Sequence, residues 1–347
     1  MNEPSIAANE ATAAELVGPR LPAPLRAPAW LARARRRVAA VEAKDVWRAL
    51  GVPLIAILAF LLLWSRASAS IETTLGVIPG PVAVWTQGAA LWTDHLAERA
   101  KAQAFYDRQA QRQADRAAAD PTFAVAVIPY TGKPTFIDQI GTSLITVFVG
   151  FLLASLVAIP LGVLCGLSPT INAGINPFVQ IFRPVSPLAW LPIVTLVVSA
   201  VYVSPDPMLQ KSFLTSAITV ALCSLWPTVI NTAHGVSSID RDLMNVAKVL
   251  RLSWMTTLVK VVIPASLPLI FTGLRLSLGV GWMVLIAAEM LAQNPGLGKF
   301  VWDEFQNGSS DSLGRIMVAV FTIGGIGFLL DRIMLSIHKL VDFGSAR

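Results

Sequence analysis

Charge is what this sequence has least of. Only 14% of its 347 residues are Asp, Glu, Lys or Arg, where a water-soluble domain approaches a quarter, and 54% are hydrophobic at a mean hydropathy of +0.63. That balance excludes an ordinary soluble domain and predicts an integral membrane protein. Cysteine is almost missing: Cys165 and Cys223 both sit inside apolar runs, which excludes a disulfide framework or a thiolate metal site and reads as two small buried hydrophobes. His95, His234 and His338 are scattered without ligand spacing, so no metal site is expected. A nucleotide-binding loop is lacking as well, since Gly132-Lys133 has no glycine at the required upstream position and is followed by Pro134. With no Ser/His/Asp set and no carboxylate pair, an enzyme active site and a cofactor held by this chain are not expected. The net charge of +6 is modest and gathered in particular loops, which argues against nucleic acid as a partner and makes the basic residues a guide to orientation.

What is present is a series of long apolar runs. Residues 1–45 are rich in Ala, Pro and Arg and precede any such run, so a disordered tail is expected there. Arg33, Arg35, Arg36, Arg37, Lys44 and Arg48 sit directly before the apolar run Gly51–Trp64 at the centre of the first span, residues 46–66, and by the positive-inside rule keep the N-terminus in the cytoplasm. Residues 79–135 are not spanning. Val84, Trp85, Leu91, Trp92 and Leu96 are suited to a membrane surface, and the Ala-rich, charge-balanced stretch after them predicts a helix stopped by Pro121, giving an extracytoplasmic helical insertion. Five further spans are predicted at about 138–167, 177–201, 210–233, 261–292 and 313–337, for six in all, with both termini cytoplasmic. The loop from His234 to Lys260 carries Arg241, Lys248, Arg251 and Lys260, whereas the short loop from Tyr202 to Gln210 carries no Lys or Arg, which places the former inside.

Within the spans, small residues recur at every fourth position: Ala158, Gly162 and Gly166, then Gly273, Ser277 and Gly281. Such rows mark close helix contacts, within a subunit or between two. The run Arg183-Pro-Val-Ser-Pro-Leu-Ala-Trp-Leu-Pro192 cannot be a regular helix throughout, and it forms either a wall of a pathway or a packed kink. Arg275 falls near the middle of its span, where a bare cation costs about 2.5–3.5 kcal/mol, so it must meet an acceptor or water. An anion path and a structural or gating role both satisfy that need. Arg183 reads as a pathway residue or a side chain snorkelling to the interface, and Glu289 as an external gate or the cap of a neighbouring helix.

The polar stretch Ser237–Pro268 interrupts the last part of the chain. Asp240 or Ser238 can cap a short helix on which Leu243, Val246, Ala247 and Leu250 share one face at i, i+3, i+4, i+7. Periodicity alone leaves it lying on lipid headgroups or docking on a protein. Its residue order resembles the cytoplasmic loop of the inner-membrane permeases of binding-protein-dependent ABC importers: Glu-Ala-Ala, three residues, Gly, nine residues, Ile, one residue, Leu-Pro. Here Asn245-Val246-Ala247 fill the first slot, Arg251 the glycine slot, and Val261-Val262-Ile263-Pro264 the tail. The segments Phe271-Thr-Gly-Leu-Arg275, Ala287-Ala-Glu289-Met290, Gly296-Leu-Gly298 and Val301-Trp302-Asp303 follow in order and resemble the nitrate, bicarbonate and cyanate branch; the resemblance runs from about Ile137 to Phe343.

That resemblance implies an all-α membrane fold of six transmembrane helices, the type I ABC importer fold, in the bacterial inner membrane. It implies a homodimer with two cytoplasmic ATPase subunits, which hold ATP–Mg, and a periplasmic or lipid-anchored binding protein. Asp240, Asp242, Leu243, Asn245, Val246, Ala247, Leu250 and Arg251 would then couple the chain to its ATPase, with Arg183, Arg275 and Glu289 along the pathway or at a gate. The implied cargo is a small oxyanion, nitrate first, then nitrite, bicarbonate, cyanate or a sulfonate. The alternative is a channel or secondary transporter that needs no ATPase, for which an internal repeat and midplane carboxylates would be expected.

Overall fold

The computed structural model describes residues 47–73, 76–119, 128–203, 209–309 and 311–341. The N-terminal tail expected at 1–45 lies outside them, as does Pro121. Contacts divide the chain into a unit ending at Leu62 and a larger one from Leu63 onward. The first holds a π-helical turn, Trp47–Gly51, leading into α1 (Val52–Ser70). At ~1.5 Å per residue, α1 is about 28 Å long, the thickness of a hydrocarbon core. Its side chains from Val52 to Phe60 are exposed, as lipid-facing residues are.

In the larger unit, the two-residue strands Glu72–Thr73 and Gly76–Val77 form a short antiparallel pair before α2 (Pro81–Ala119). The spanning helices α3 (Phe136–Leu167), α6 (Lys211–Ser237), α9 (Ile263–Ala292) and α11 (Ser312–Val341) follow, with shorter helices between them. Among the described residues, five helices are long and apolar enough to cross a membrane. A sixth crossing requires a bent pair, because the span expected at 177–201 is not one helix. Instead α4 (Pro169–Phe182) and α5 (Pro187–Val201) meet at 103°. The cause is local: Pro184 and Pro187 remove two backbone donors within four residues, and Ser186 caps the restart by accepting from Leu188 N at 3.3 Å.

The centre of the fold is α6. Both predicted small-residue rows close on it, one from each side. A β-carbon at Gly162 would fall 2.6 Å from Thr232 Cβ, and one at Gly166 would fall 2.5 Å from Val236 Cβ, so α3 runs parallel to α6 at backbone distance. On the other side, a β-carbon at Gly273 would reach Thr228 Cα at 3.0 Å, while Ser277 Oγ lies 2.7 Å from Thr228 Oγ1 and accepts from Thr228 N at 3.1 Å. Gly281 faces Ser224, one turn earlier on α6, so α9 runs antiparallel to it. These rows make contacts within one subunit. In turn, α11 runs antiparallel to α9, with Trp282 Nε1 donating to Ile323 O at 3.0 Å.

These directions define two ends. At one end lie the C-termini of α3 and α6, the start of α9, and the short helices α7 (Arg241–Val249) and α8 (Trp254–Thr257), tied by a cluster of Val163, Val236 and Val262. A π-helical turn, Leu258–Val262, carries α8 into α9. At the other end lie the start of α3, α10 (Leu297–Asn307) and the start of α11, packed around Phe136, Leu285, Leu297 and Phe300. The insertion helix α2 joins this second cluster through Leu91. The surface stripe expected on α2 therefore splits: Val84 and Leu91 are buried, while Trp85, Trp92 and Leu96 remain exposed.

Candidate functional site

The helix α7 begins where its cap was expected. Asp240 accepts from Asp242 N at 2.9 Å, and its negative charge sits at the positive end of the helix. The face it presents is not the expected one. Ala247 is only 3% exposed, and Met244 packs into the Val163–Val236–Val262 cluster, so this arc is turned toward the protein's own helices. Leu243 at 49%, Val246 at 56%, and Val249 and Leu250 beyond them form the arc left open. At 100° per residue the two arcs adjoin, which is why periodicity merged Ala247 with its outward neighbours. Asp242 lies exposed between Val246 and Val249, and Asn245 and Lys248 lie exposed on the remaining side.

Arg251 ends the helix in the left-handed region at φ 51°. Leu252 N donates to Ala247 O and Arg251 N to Lys248 O, both at 3.0 Å, the paired bonds of a Schellman motif. That conformation suits glycine, the residue the related loops carry in this slot, and it strains any residue bearing a β-carbon. Replacing Arg251→Gly is expected to stabilise the loop by about 1 kcal/mol and slow hydrogen exchange at Leu252 by about fivefold. Faster exchange in the variant would refute the strain.

Arg275 and Glu289 have partners inside the chain. Arg275 on α9 grips Asp331 on α11 through two bonds, Nε to Oδ1 at 2.5 Å and Nη2 to Oδ2 at 2.9 Å. This fork neutralises the cation at mid-span and bolts two helices together. Asp331 escaped the sequence reading although a carboxylate within an apolar run is itself a signal, one that points back to an intramembrane cation. Arg183 caps the end of α4 at the bend and its side chain is exposed.

Glu289 is fully buried near the end of α9. Ser143 Oγ on α3 lies 2.8 and 2.9 Å from its two oxygens and donates to them, and Gly298 N donates to Oε2 at 3.1 Å. Ser143 Oγ in turn accepts from Leu297 N at 2.8 Å. The first turn of α10 is thus capped by two side chains from two other helices, with the carboxylate at the positive helix end. This explains the Gly296-Leu-Gly298 spacing: a β-carbon on Gly296 would collide with the Glu289 carboxylate, and one on Gly298 with Ile286 O. Ser143 also went unnoticed in the sequence, where a single serine in an apolar run has no periodic signature.

Around this second end, α2 is pinned by polar contacts. His95 Nδ1 lies 2.7 Å from Thr135 Oγ1, Arg99 pairs with Asp138, and Gln87 Nε2 donates to Asp311 at 2.9 Å. Tyr130 donates its hydroxyl to Glu98 at 2.8 Å, which holds that carboxyl below its usual range. Arg315 reaches Asp94 at 3.6 Å and Glu304 at 3.4 Å. The insertion helix is therefore part of the folded body along its first half.

The described residues thus form a polytopic helical bundle with a capped amphipathic helix at one end. Comparison with known proteins gives the family. Residues 158–343 match the model of the binding-protein-dependent transport system inner membrane component, and the chain belongs to that family of type I ABC importer permeases. It is 35% identical over 293 residues to the bicarbonate transport system permease protein CmpB of Synechocystis sp., covering 84% of this chain and 89% of that one. It is also 35% identical over 225 residues to the nitrate import permease protein NrtB of Synechococcus elongatus, covering 62% and 76%. Among solved structures, a chain of the MetNI methionine ABC transporter in inward-facing conformation superposes with a TM-score of 0.50 at 16% identity, over 59% of this chain and 95% of that one, which supports the fold. The chain is therefore a multi-pass inner-membrane permease subunit of an ABC importer, in the branch that includes nitrate and bicarbonate permeases.

Proposed function

We propose that two copies of this chain form the membrane path of an importer for a small oxyanion, nitrate first and bicarbonate next. A binding protein delivers the anion on the side of α2. Two ATPase subunits, which hold ATP–Mg, engage α7 on the cytoplasmic side, where both termini also lie. The chain itself moves solute and breaks no bond. The observation that carries this reading is the outward arc Leu243, Val246, Val249 and Leu250: it is exposed among the described residues, on a capped helix seated on the ends of three spans. Force applied there passes to α3, α6 and α9 through Met244 and Ala247. With Arg275 held by Asp331, the midspan cation braces α9 against α11 and keeps the path free of an ion that would trap its cargo.

The test is reconstitution. The chain coexpressed with its neighbouring ATPase and binding protein is expected to give a complex of two permeases and two ATPases. In proteoliposomes that complex should take up labelled nitrate only with ATP and binding protein, with bicarbonate weaker and taurine weakest. Uptake by the chain alone without ATP would sink the reading in favour of a channel or secondary transporter.

A further inference from the structure

A cavity of about 220 Å³ lies between α4 and α6 at the α7 end of the molecule. The two helices face it with matching periodicities. From α4 come Asn172, Ile175, Asn176 and Val179, at i, i+3, i+4, i+7; from α6 come Ile230, Ala233, His234 and Ser237, at the same spacing. Asn172, Asn176 and His234 are exposed, and their side chains bond to no other described residue. Ser237 lends its hydroxyl hydrogen to His234 O at 3.1 Å and keeps its lone pairs free. The lining contains no Asp or Glu. Two side-chain amides from α4 and an imidazole from α6 thus face one hollow that opens to the surface, where they can donate to a ligand with several acceptors.

We infer that this cavity is a station for a small oxyanion on the α7 side of the path, an assignment that rests on the importer reading above. Its volume exceeds the ~30 Å³ share of one water several-fold, enough for a planar or tetrahedral oxyanion with a few waters. The amides of Asn172 and Asn176 donate to the anion, and the apolar floor of Ile175, Val179 and Val229 suits a weakly hydrated one. Neutral donors fit an exit. A permeating ion must be held well enough to enter and weakly enough to leave, and a guanidinium here would retain it. The station also lies beside the 103° break between α4 and α5, on α4, so a tilt of the α7 end alters the distance between its two faces.

The test uses the complete transporter in neutral phosphatidylcholine liposomes with labelled nitrate and bicarbonate. Asn176→Asp keeps the size of the side chain and replaces donors with charge; it is expected to lower uptake by about tenfold. Asn176→Ser, which keeps a donor, should retain more than half. Both variants should assemble with the ATPase in normal amount. In a second measurement, Ile230→Cys, in a background with Cys165 and Cys223 replaced by alanine, is labelled with an anionic thiosulfonate. Nitrate at millimolar concentration is expected to slow labelling about threefold. Wild-type uptake of neither anion would overturn the importer reading itself. Normal wild-type uptake with Asn176→Asp equally active, or labelling indifferent to nitrate, overturns the station alone. Labelling slowed when anionic phosphatidylglycerol is added to those liposomes, and not by nitrate, overturns it too, and assigns the cavity to a lipid headgroup.

Discussion

Replacing Glu289→Leu is expected to leave little intact permease in the membrane. The leucine has a similar volume but no acceptor, so Gly298 N and the Ser143 hydroxyl lose their partner in a site from which water is excluded. Each orphaned group costs about 1–3 kcal/mol, and the pair about 2–6 kcal/mol, comparable with the whole stability of many domains. The loss falls on a junction of three helices. Without the carboxylate, α10 has no side-chain cap beyond Ser143, and the Phe136–Phe300 contact, with ring centroids 4.8 Å apart, loses its support. Glu289→Gln retains one acceptor and is expected to cost less, about 1–3 kcal/mol. The measurement is membrane abundance and thermal unfolding of the purified subunit. A leucine variant with wild-type abundance and melting temperature would show that the buried carboxylate does not hold the junction.

What could be read from the sequence divides along physical lines. Spans were legible because hydropathy is summed over some twenty residues, and the small-residue rows because a four-residue repeat marks one helix face. The break in the third span was legible in its prolines, though not its 103° angle, which depends on what α4 and α5 each pack against. Glu289 was visible as a charge in an apolar run, with capping among its possible roles, but its partner Ser143 lies 146 residues away and leaves no local trace. Arg275 was visible for the same reason, and the acceptor it needed was Asp331, 56 residues on. The facing of α7 was the real miss. An amphipathic helix apolar over more than half its circumference has two candidate faces, and only the ends of α3, α6 and α9 decide which is turned inward.

That facing changes which substitution tests coupling. Ala247→Asp would bury an unpaired carboxylate against the chain's own helices, so failure there would report damage to the permease and nothing about a partner. Val246→Asp is the informative change, because Val246 is more than half exposed in the subunit and loses its water only when something covers the outward arc. The subunit alone should therefore insert and melt as wild type. Against an apolar groove on the ATPase, an unpaired charge costs about 3 kcal/mol, close to a 150-fold loss of affinity, so the ATPase should no longer copurify and ATP-driven uptake should vanish. Lys248→Gln, on the polar side of the same helix, is expected to leave both unchanged. A helix that merely rested on lipid would also be weakened by Val246→Asp, but it would keep its ATPase. Retention of the ATPase with normal uptake in Val246→Asp would remove the outward arc from the coupling path. Copurification decides the matter, because the energy for transport can reach the six spans only through a surface that stays docked while the ATPases open and close.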